Sequence, residues 1–203
     1  PDGDWALLLS RIEATLERIV LASVRYQRVL ISAPDSATKT RLASTFAAYG
    51  VAPHLIGIIV AASDDTWARD HGPLTVVHED GLLLLDYTFT GWGGKFPAER
   101  DNRLTEQLAK ADVFTCPVER RELILEGGAL ETDGQGTLLT TEACLLNPNR
   151  NPQLDRAAIE ARLGQELGIQ RVLWLSHGHL EGDDTDSHVD TLARFCDPAT
   201  IAY

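Results

Sequence analysis

Pro73-Leu74-Thr75-Val76-Val77-His78-Glu79-Asp80-Gly81-Leu82-Leu83-Leu84-Leu85-Asp86-Tyr87-Thr88-Phe89 reads as two extended segments, 73–78 and 82–89, broken by the turn-forming Glu79-Asp80-Gly81. A second hairpin pattern, 129–132 and 137–146, is joined by Asp133-Gly134-Gln135-Gly136. Helices and single strands surround these hairpins. Apolar spacing predicts a helix over residues 4–23 behind Asp4, a strand over 28–33, a helix from Ser36 to a stop at Gly50, and a strand over 55–60. Further on, the pattern gives a helix over 102–110, a strand over 113–117, a helix from Pro152 to Gly168 and a strand over 171–175. The chain thus cycles about three times through helix, strand, polar loop and hairpin, a structural repeat without close sequence identity. A mixed α/β fold repeated around an axis follows. A doubly wound parallel sheet is the alternative, and the hairpins argue against it because that sheet needs a crossover between its strands.

Composition narrows the function. With 203 residues and 44% apolar side chains there is material for a packed core, which excludes a disordered or fibrous chain. Thirty acidic residues against 18 Lys and Arg give a net charge of −12, so no basic face for nucleic acid or anionic lipid is expected and a cationic ligand suits the chain better. No apolar run approaches the ~20 residues of a membrane span, and no leader pattern opens the sequence, so the chain reads as cytoplasmic. Cys116, Cys144 and Cys196 are odd in number and lack CxxC spacing, which gives neither a disulfide framework nor a thiolate zinc site. The sequence contains no Met, so Pro1 is read as a processed, trimmed or internal start.

Each helix-strand pair leads into a charged loop: Asp64-Asp65-Thr66-Trp67-Ala68-Arg69-Asp70, Glu126-Gly127-Gly128, and Asp183-Asp184-Thr185-Asp186-Ser187-His188. Equivalent loops of a repeat share one face, so Asp70, Glu126 and His188 can converge. Read without function, Arg69 pairs with a neighbouring acid and Gly72-Pro73 is a turn. The paired glycines at 127 and 128 serve an unusual turn or let another group approach the backbone closely. The Asn-rich run 147–152 reads as structural, with Asn side chains bonding their own backbone ahead of the helix after Pro152. His188 and Asp190, two apart, project to one face if the segment is an extended strand, and a carboxylate can then orient the imidazole for acid-base work. His177 and His179 read as members of a solvated acidic loop.

Four segments carry a family resemblance: Trp67-Ala68-Arg69-Asp70-His71-Gly72-Pro73, Gly91-Trp92-Gly93-Gly94-Lys95, Glu126-Gly127-Gly128 with residues 137–152, and residues 184–195. Together they resemble the agmatine deiminase family, related to the bacterial peptidylarginine deiminases, in the family's order and over residues 67–195. The resemblance implies a β/α-propeller of the pentein type with five blades, of which about three fit in this chain as a single partial propeller over residues 1–203, truncated at both ends. It implies a hydrolase of putrescine and polyamine metabolism that uses no cofactor and no metal. In that chemistry a Cys thiolate attacks the guanidinium carbon, ammonia leaves, and water releases a carbamoyl product from a thiouronium. By motif, Asp70, Glu126 and Asp190 resemble the guanidinium-gripping acids and His188 the general acid-base, while Trp67 and Trp92 are candidates for the channel wall or, equally, core aromatics. The chemistry is coherent, because a guanidinium stays protonated up to a pKa above ~12 and presents a planar fork of donors to fixed carboxylates.

Two departures stand out. The family's nucleophile lies in a Gly-rich C-terminal segment that this sequence lacks, and none of its own cysteines replaces it. Cys196 lies eight residues past His188, roughly 26 Å along a strand, while Cys144 and Cys116 read as small buried apolar residues. Ser187 stands where a Gly is expected before the His. The partner expected is a small cationic guanidino compound, agmatine or arginine-like, with self-association possible through unclosed sheet edges. Two other readings stay open: a non-catalytic module that binds guanidino or polyamine ligands, and a metal-dependent hydrolase using His177, His179, Asp183, Asp184 and Asp186.

Overall fold

The computed structural model describes residues 6–203, which gather into two compact units: one of residues 6–66 with 103–115, the other of residues 67–102 with 116–203. Asp4 and Trp5, at the head of the first predicted helix, lie outside the described residues. None of the described helices is long and apolar enough to cross a membrane.

In the first unit a short 3-10 turn leads into the helix Leu9–Ser23, and β1 (Val29–Ala33) pairs in parallel with β2 (Ile56–Val60) through the helix Ser36–Ala48. That second helix opens at Ser36, as expected, under an Asp35 cap whose carboxylate accepts from the Thr38 backbone N–H at 2.7 Å. Ala33, Phe46 and Ile58 form the buried centre, against which Val20 and Leu21 of the first helix pack. The helix Leu104–Lys110 adds Leu104 and Leu108 to Ala61 in a second small core.

The second unit holds two sheets of the same construction. β3 (Leu74–His78) and β4 (Gly81–Thr88) form the first predicted hairpin, and β5 (Val118–Ile124) adds in parallel beside β4. β6 (Glu131–Thr132) and β7 (Thr137–Thr141) form the second, and β8 (Arg171–Leu175) adds in parallel beside β7. The middle strand of each sheet is covered on both sides, so its apolar residues run on without alternation: Leu84 and Leu85 in β4, Leu138 and Leu139 in β7, all buried. One core joins these sheets, with Leu85, Leu123 and Leu138 packed together with Ile159 and Leu163 of the helix Arg156–Leu167. A third hairpin, β9 (Arg194–Asp197) with β10 (Thr200–Ala202), closes the described chain.

The fold is mixed α/β, as expected, and several boundaries move. The strand expected at 113–117 is instead β5, which begins after Pro117; four of its seven residues are charged, which hides the apolar pattern. β7 ends at Thr141 because that side chain accepts from the Cys144 N–H and starts a short helix, Glu142–Leu145, where an extended strand to 146 was predicted. The helix predicted from Pro152 begins at Arg156 under an Asp155 cap. It ends, as predicted, at Gly168, whose φ of 70° is the left-handed stop that glycine adopts without strain. Cys144 is buried as expected, whereas Cys116 is only partly buried.

Candidate functional site

Three loops of the second unit meet at Gly128. A Cβ added to this glycine would lie 2.5 Å from His188 Nδ1, 2.6 Å from Asp70 Oδ1 and 2.9 Å from Asp190 Oδ2. Only hydrogen fits there, so the close-approach reading of the paired glycines is the one the backbone uses. Asp70, Glu126, His188 and Asp190 are brought together.

Asp70 sits on a single helical turn, Ala68–His71, and is held on both sides. Its Oδ1 accepts from the Gly128 N–H and its Oδ2 from Trp92 Nε1, both at 3.0 Å. Trp92 itself is 5% exposed, packed edge-on between Phe89 and Phe96 at φ 56°. The same ring thus anchors a carboxylate and belongs to an aromatic core. Trp67, by contrast, is 49% exposed at the entrance to that helical turn.

Glu126 follows β5 by two residues, at the head of a 3-10 turn, and is fully buried. Arg150 Nε donates to both of its oxygens, at 3.1 and 2.8 Å, and the arginine side chain is equally buried. Burial raises the Glu126 pKa, but the neighbouring His188 imidazole and the Arg150 guanidinium more than reverse this, and the carboxyl is held below its ordinary value. Arg150 is the residue sequence reading missed, counted there among structural loop polars. It reaches further: Nη1 donates to Asp186 Oδ2 at 2.7 Å and Nη2 to the Thr185 carbonyl at 2.9 Å.

The loop that carries His188 is not extended. Asp186 and Ser187 adopt left-handed backbone, at φ 65° and 66°, and His188 leads into a 3-10 turn, Val189–Thr191. The expected strand alternation of His188 and Asp190 is therefore corrected: a turn, not a pleat, aims both at Gly128. It also breaks the extended path assumed between His188 and Cys196, which lies exposed on β9. Asp183 holds the loop, accepting from the Thr185 and Ser187 backbone N–H groups at 2.9 and 2.7 Å. Asp186 accepts from Lys95, Arg150 and Asn149; burial opposes its ionisation, yet those donors lower its pKa to about 2. Lys95 and Asn149 thereby tie two further motif segments to the His188 loop.

His188 is 2% exposed, with Nδ1 3.5 Å from Asp70 Oδ1 and Nε2 3.8 Å from Glu126 Oε2. Asp190 is part-exposed; burial and the Asp70 carboxylate raise its pKa above the ordinary range, against the pull of His188, Arg69 and Arg194. The site thus offers two acids and an imidazole around one point, with a permanently paired third acid behind them. Burial lifts the Cys144 thiol pKa, so it is no thiolate at neutral pH. His177 and His179 are exposed, and no metal-compatible group among the described residues includes them or Asp183, Asp184 and Asp186.

The Porphyromonas-type peptidyl-arginine deiminase family matches residues 1–203. An agmatine deiminase of Stutzerimonas stutzeri is 42% identical over 153 residues, which is 72% of this chain and 41% of that protein. Among solved structures, an agmatine deiminase of C. jejuni with a Cys-to-Ser change and substrate bound is 36% identical, with a TM-score of 0.86 over 98% of this chain and 57% of that one. The agmatine deiminase of Enterococcus faecalis superposes with a TM-score of 0.80 at 29% identity, covering 94% and 52%. The chain spans about two fifths of the curated relative it matches and rather more than half of each solved chain.

Proposed function

Because the chain belongs to the Porphyromonas-type peptidyl-arginine deiminase family, we propose that its parent protein hydrolyses the guanidinium group of agmatine or a similar small guanidino compound to a ureido product and ammonia. The observation that carries this reading is the meeting of Asp70, His188 and Asp190 around Gly128, with Glu126 facing the same imidazole. A guanidinium demands planar, fixed acceptors; Asp70 is locked by Trp92 and Gly128 and keeps further lone pairs free, and Asp190 stands across the same glycine. These two acids grip the cation and hold its carbon for attack.

His188, between Asp70 and Glu126, is the proton carrier. In its protonated form it gives a proton to the departing ammonia, and on return it accepts one from the hydrolytic water. Glu126, kept ionised by Arg150, steadies the imidazolium. The nucleophile is a Cys thiolate outside this chain, attacking to give a tetrahedral adduct that loses ammonia and leaves a thiouronium for water to cleave. The surrounding architecture is a β/α-propeller of the pentein type, to which the two like-built sheets of the second unit contribute. Calorimetric titration of agmatine into this chain tests the binding half: saturable binding that Asp70→Asn and Asp190→Asn each weaken at least tenfold is expected, and absence of any guanidinium binding would refute the reading.

A further inference from the structure

The side of His188 turned away from Asp70 poses a separate problem. Its Nε2 is buried and has no hydrogen-bond partner, yet it faces Glu126 Oε2 at 3.8 Å. Cys144 Sγ lies 4.0 Å from that same carboxylate oxygen. One donor atom each from Glu126, Cys144 and His188 falls within 4.8 Å of the others, and all three residues are buried. If Nδ1 carries its proton toward Asp70, a lone pair on Nε2 confronts a carboxylate lone pair in a dry place. Such a facing pair of acceptors requires a cation between them, either a proton or a metal ion.

We propose that Glu126, Cys144 and His188 form a binding site for a thiophilic divalent cation such as Zn²⁺, and that the ion blocks the site instead of serving it. The donor set is one sulfur, one imidazole nitrogen and one oxygen, which suits a borderline-soft ion over Mg²⁺ or Ca²⁺. Around a tetrahedral zinc, with bonds of about 2.0–2.3 Å, donors stand roughly 3.3–3.8 Å apart, so the observed separations need only a modest contraction. Asp70, 3.5 Å from Nδ1, supplies the carboxylate that orients the imidazole so that Nε2 faces the ion. One thiolate, one carboxylate and a neutral imidazole match a divalent charge. Arg150, which uses one lone pair on each Glu126 oxygen, also pairs with Asp186, a carboxylate it shares with Lys95.

Binding breaks the Cys144 S–H bond, forms a sulfur–metal bond and releases that proton to solvent, together with any proton on Nε2. The equilibrium therefore tightens as pH rises, by at most about tenfold per pH unit for each proton released. The blocking role rests on the deiminase reading, since the ion takes the two groups proposed to move and steady the proton. The site itself does not depend on that reading.

Co²⁺ titrated into chelator-treated protein provides the test. One equivalent is expected to give a thiolate-to-cobalt charge-transfer band that zinc displaces. The double variant Cys116→Ser/Cys196→Ser keeps the band with Cys144 as the sole thiol, and Cys144→Ser and His188→Gln lose it. No band in the double variant, or a band that survives Cys144→Ser, overturns the site; the double variant decides even if Cys144→Ser fails to fold. A band that forms while bound zinc leaves agmatine affinity unchanged refutes the blocking role alone. A band in a protein that binds no agmatine refutes the deiminase reading and leaves the metal site standing.

Discussion

Arg150 Nε bridges both carboxylate oxygens of Glu126 where neither side chain meets solvent. Removing one partner of such a pair strands a buried charge, which typically costs about 3–5 kcal/mol. Arg150→Gln is expected to lower unfolding free energy by that order in urea titrations and to raise the Glu126 pKa. Arg150→Lys keeps the charge but loses the fork and should fall between the two. A loss under about 1 kcal/mol for the Gln variant would mean the pair is replaceable by water.

Gly128→Ala drives a methyl group into His188, Asp70 and Asp190 at once. The site must spread to admit it, so agmatine affinity should fall at least tenfold while far-UV circular dichroism stays native. Calorimetry returning wild-type affinity would show that these groups do not share a ligand.

At Ser187 the left-handed backbone opposes a hydrogen bond from its Oγ to the Gly178 carbonyl, 2.8 Å away. Ser187→Ala loses the bond and keeps the strain; Ser187→Gly loses both. Since left-handed backbone costs a Cβ-bearing residue about 1–2 kcal/mol, the Gly variant should exceed the Ala variant in stability by that amount. Equal denaturation midpoints would contradict the assigned strain.

Acid should weaken guanidinium binding earlier than ordinary carboxylates would imply. Asp190, its pKa raised, protonates first as pH falls, whereas Glu126, its pKa lowered, stays charged. Agmatine affinity measured across pH 3–7 is expected to show an acid limb above the normal Asp value of about 3.9 that Asp190→Asn removes. A limb unchanged in that variant would assign it elsewhere.

Asp186 behaves oppositely in stability. Its folded pKa of about 2 lies below the reference 3.8, so its contribution is full above 3.8 and disappears as pH falls through 2. Asp186→Asn should therefore be less stable than wild type at neutral pH, with the gap closing over that interval. Thermal melts at a pH series would expose a constant gap if the charge is irrelevant.

The central strands were legible because double-sided burial leaves unbroken leucines in β4 and β7. β5 was not, since four of its seven residues are charged, which masks the apolar pattern, and Pro117 precedes rather than ends it. Of the site, Asp70, Glu126 and His188 were legible as equivalent loops of the repeat and Asp190 from its spacing to His188, while the motif resemblance supplied their roles. The His-x-Asp spacing suggested a pleat because nothing in Asp186-Ser187 advertises left-handed backbone as a glycine would. Arg150 hid among asparagines. A lone arginine in this polar loop of a strongly acidic chain was the available hint that a buried acid needed a partner.

The two sheets of the second unit can each begin to assemble from neighbouring residues, but the three loops that meet at Gly128 are 56 and 62 positions apart in sequence. No half-built chain owns a complete cradle for a ligand. Recognition is thus a property of the finished tertiary arrangement, and any compound that occupies it draws its binding energy against the whole cooperative transition, acting as a late checkpoint on folding instead of a template for it.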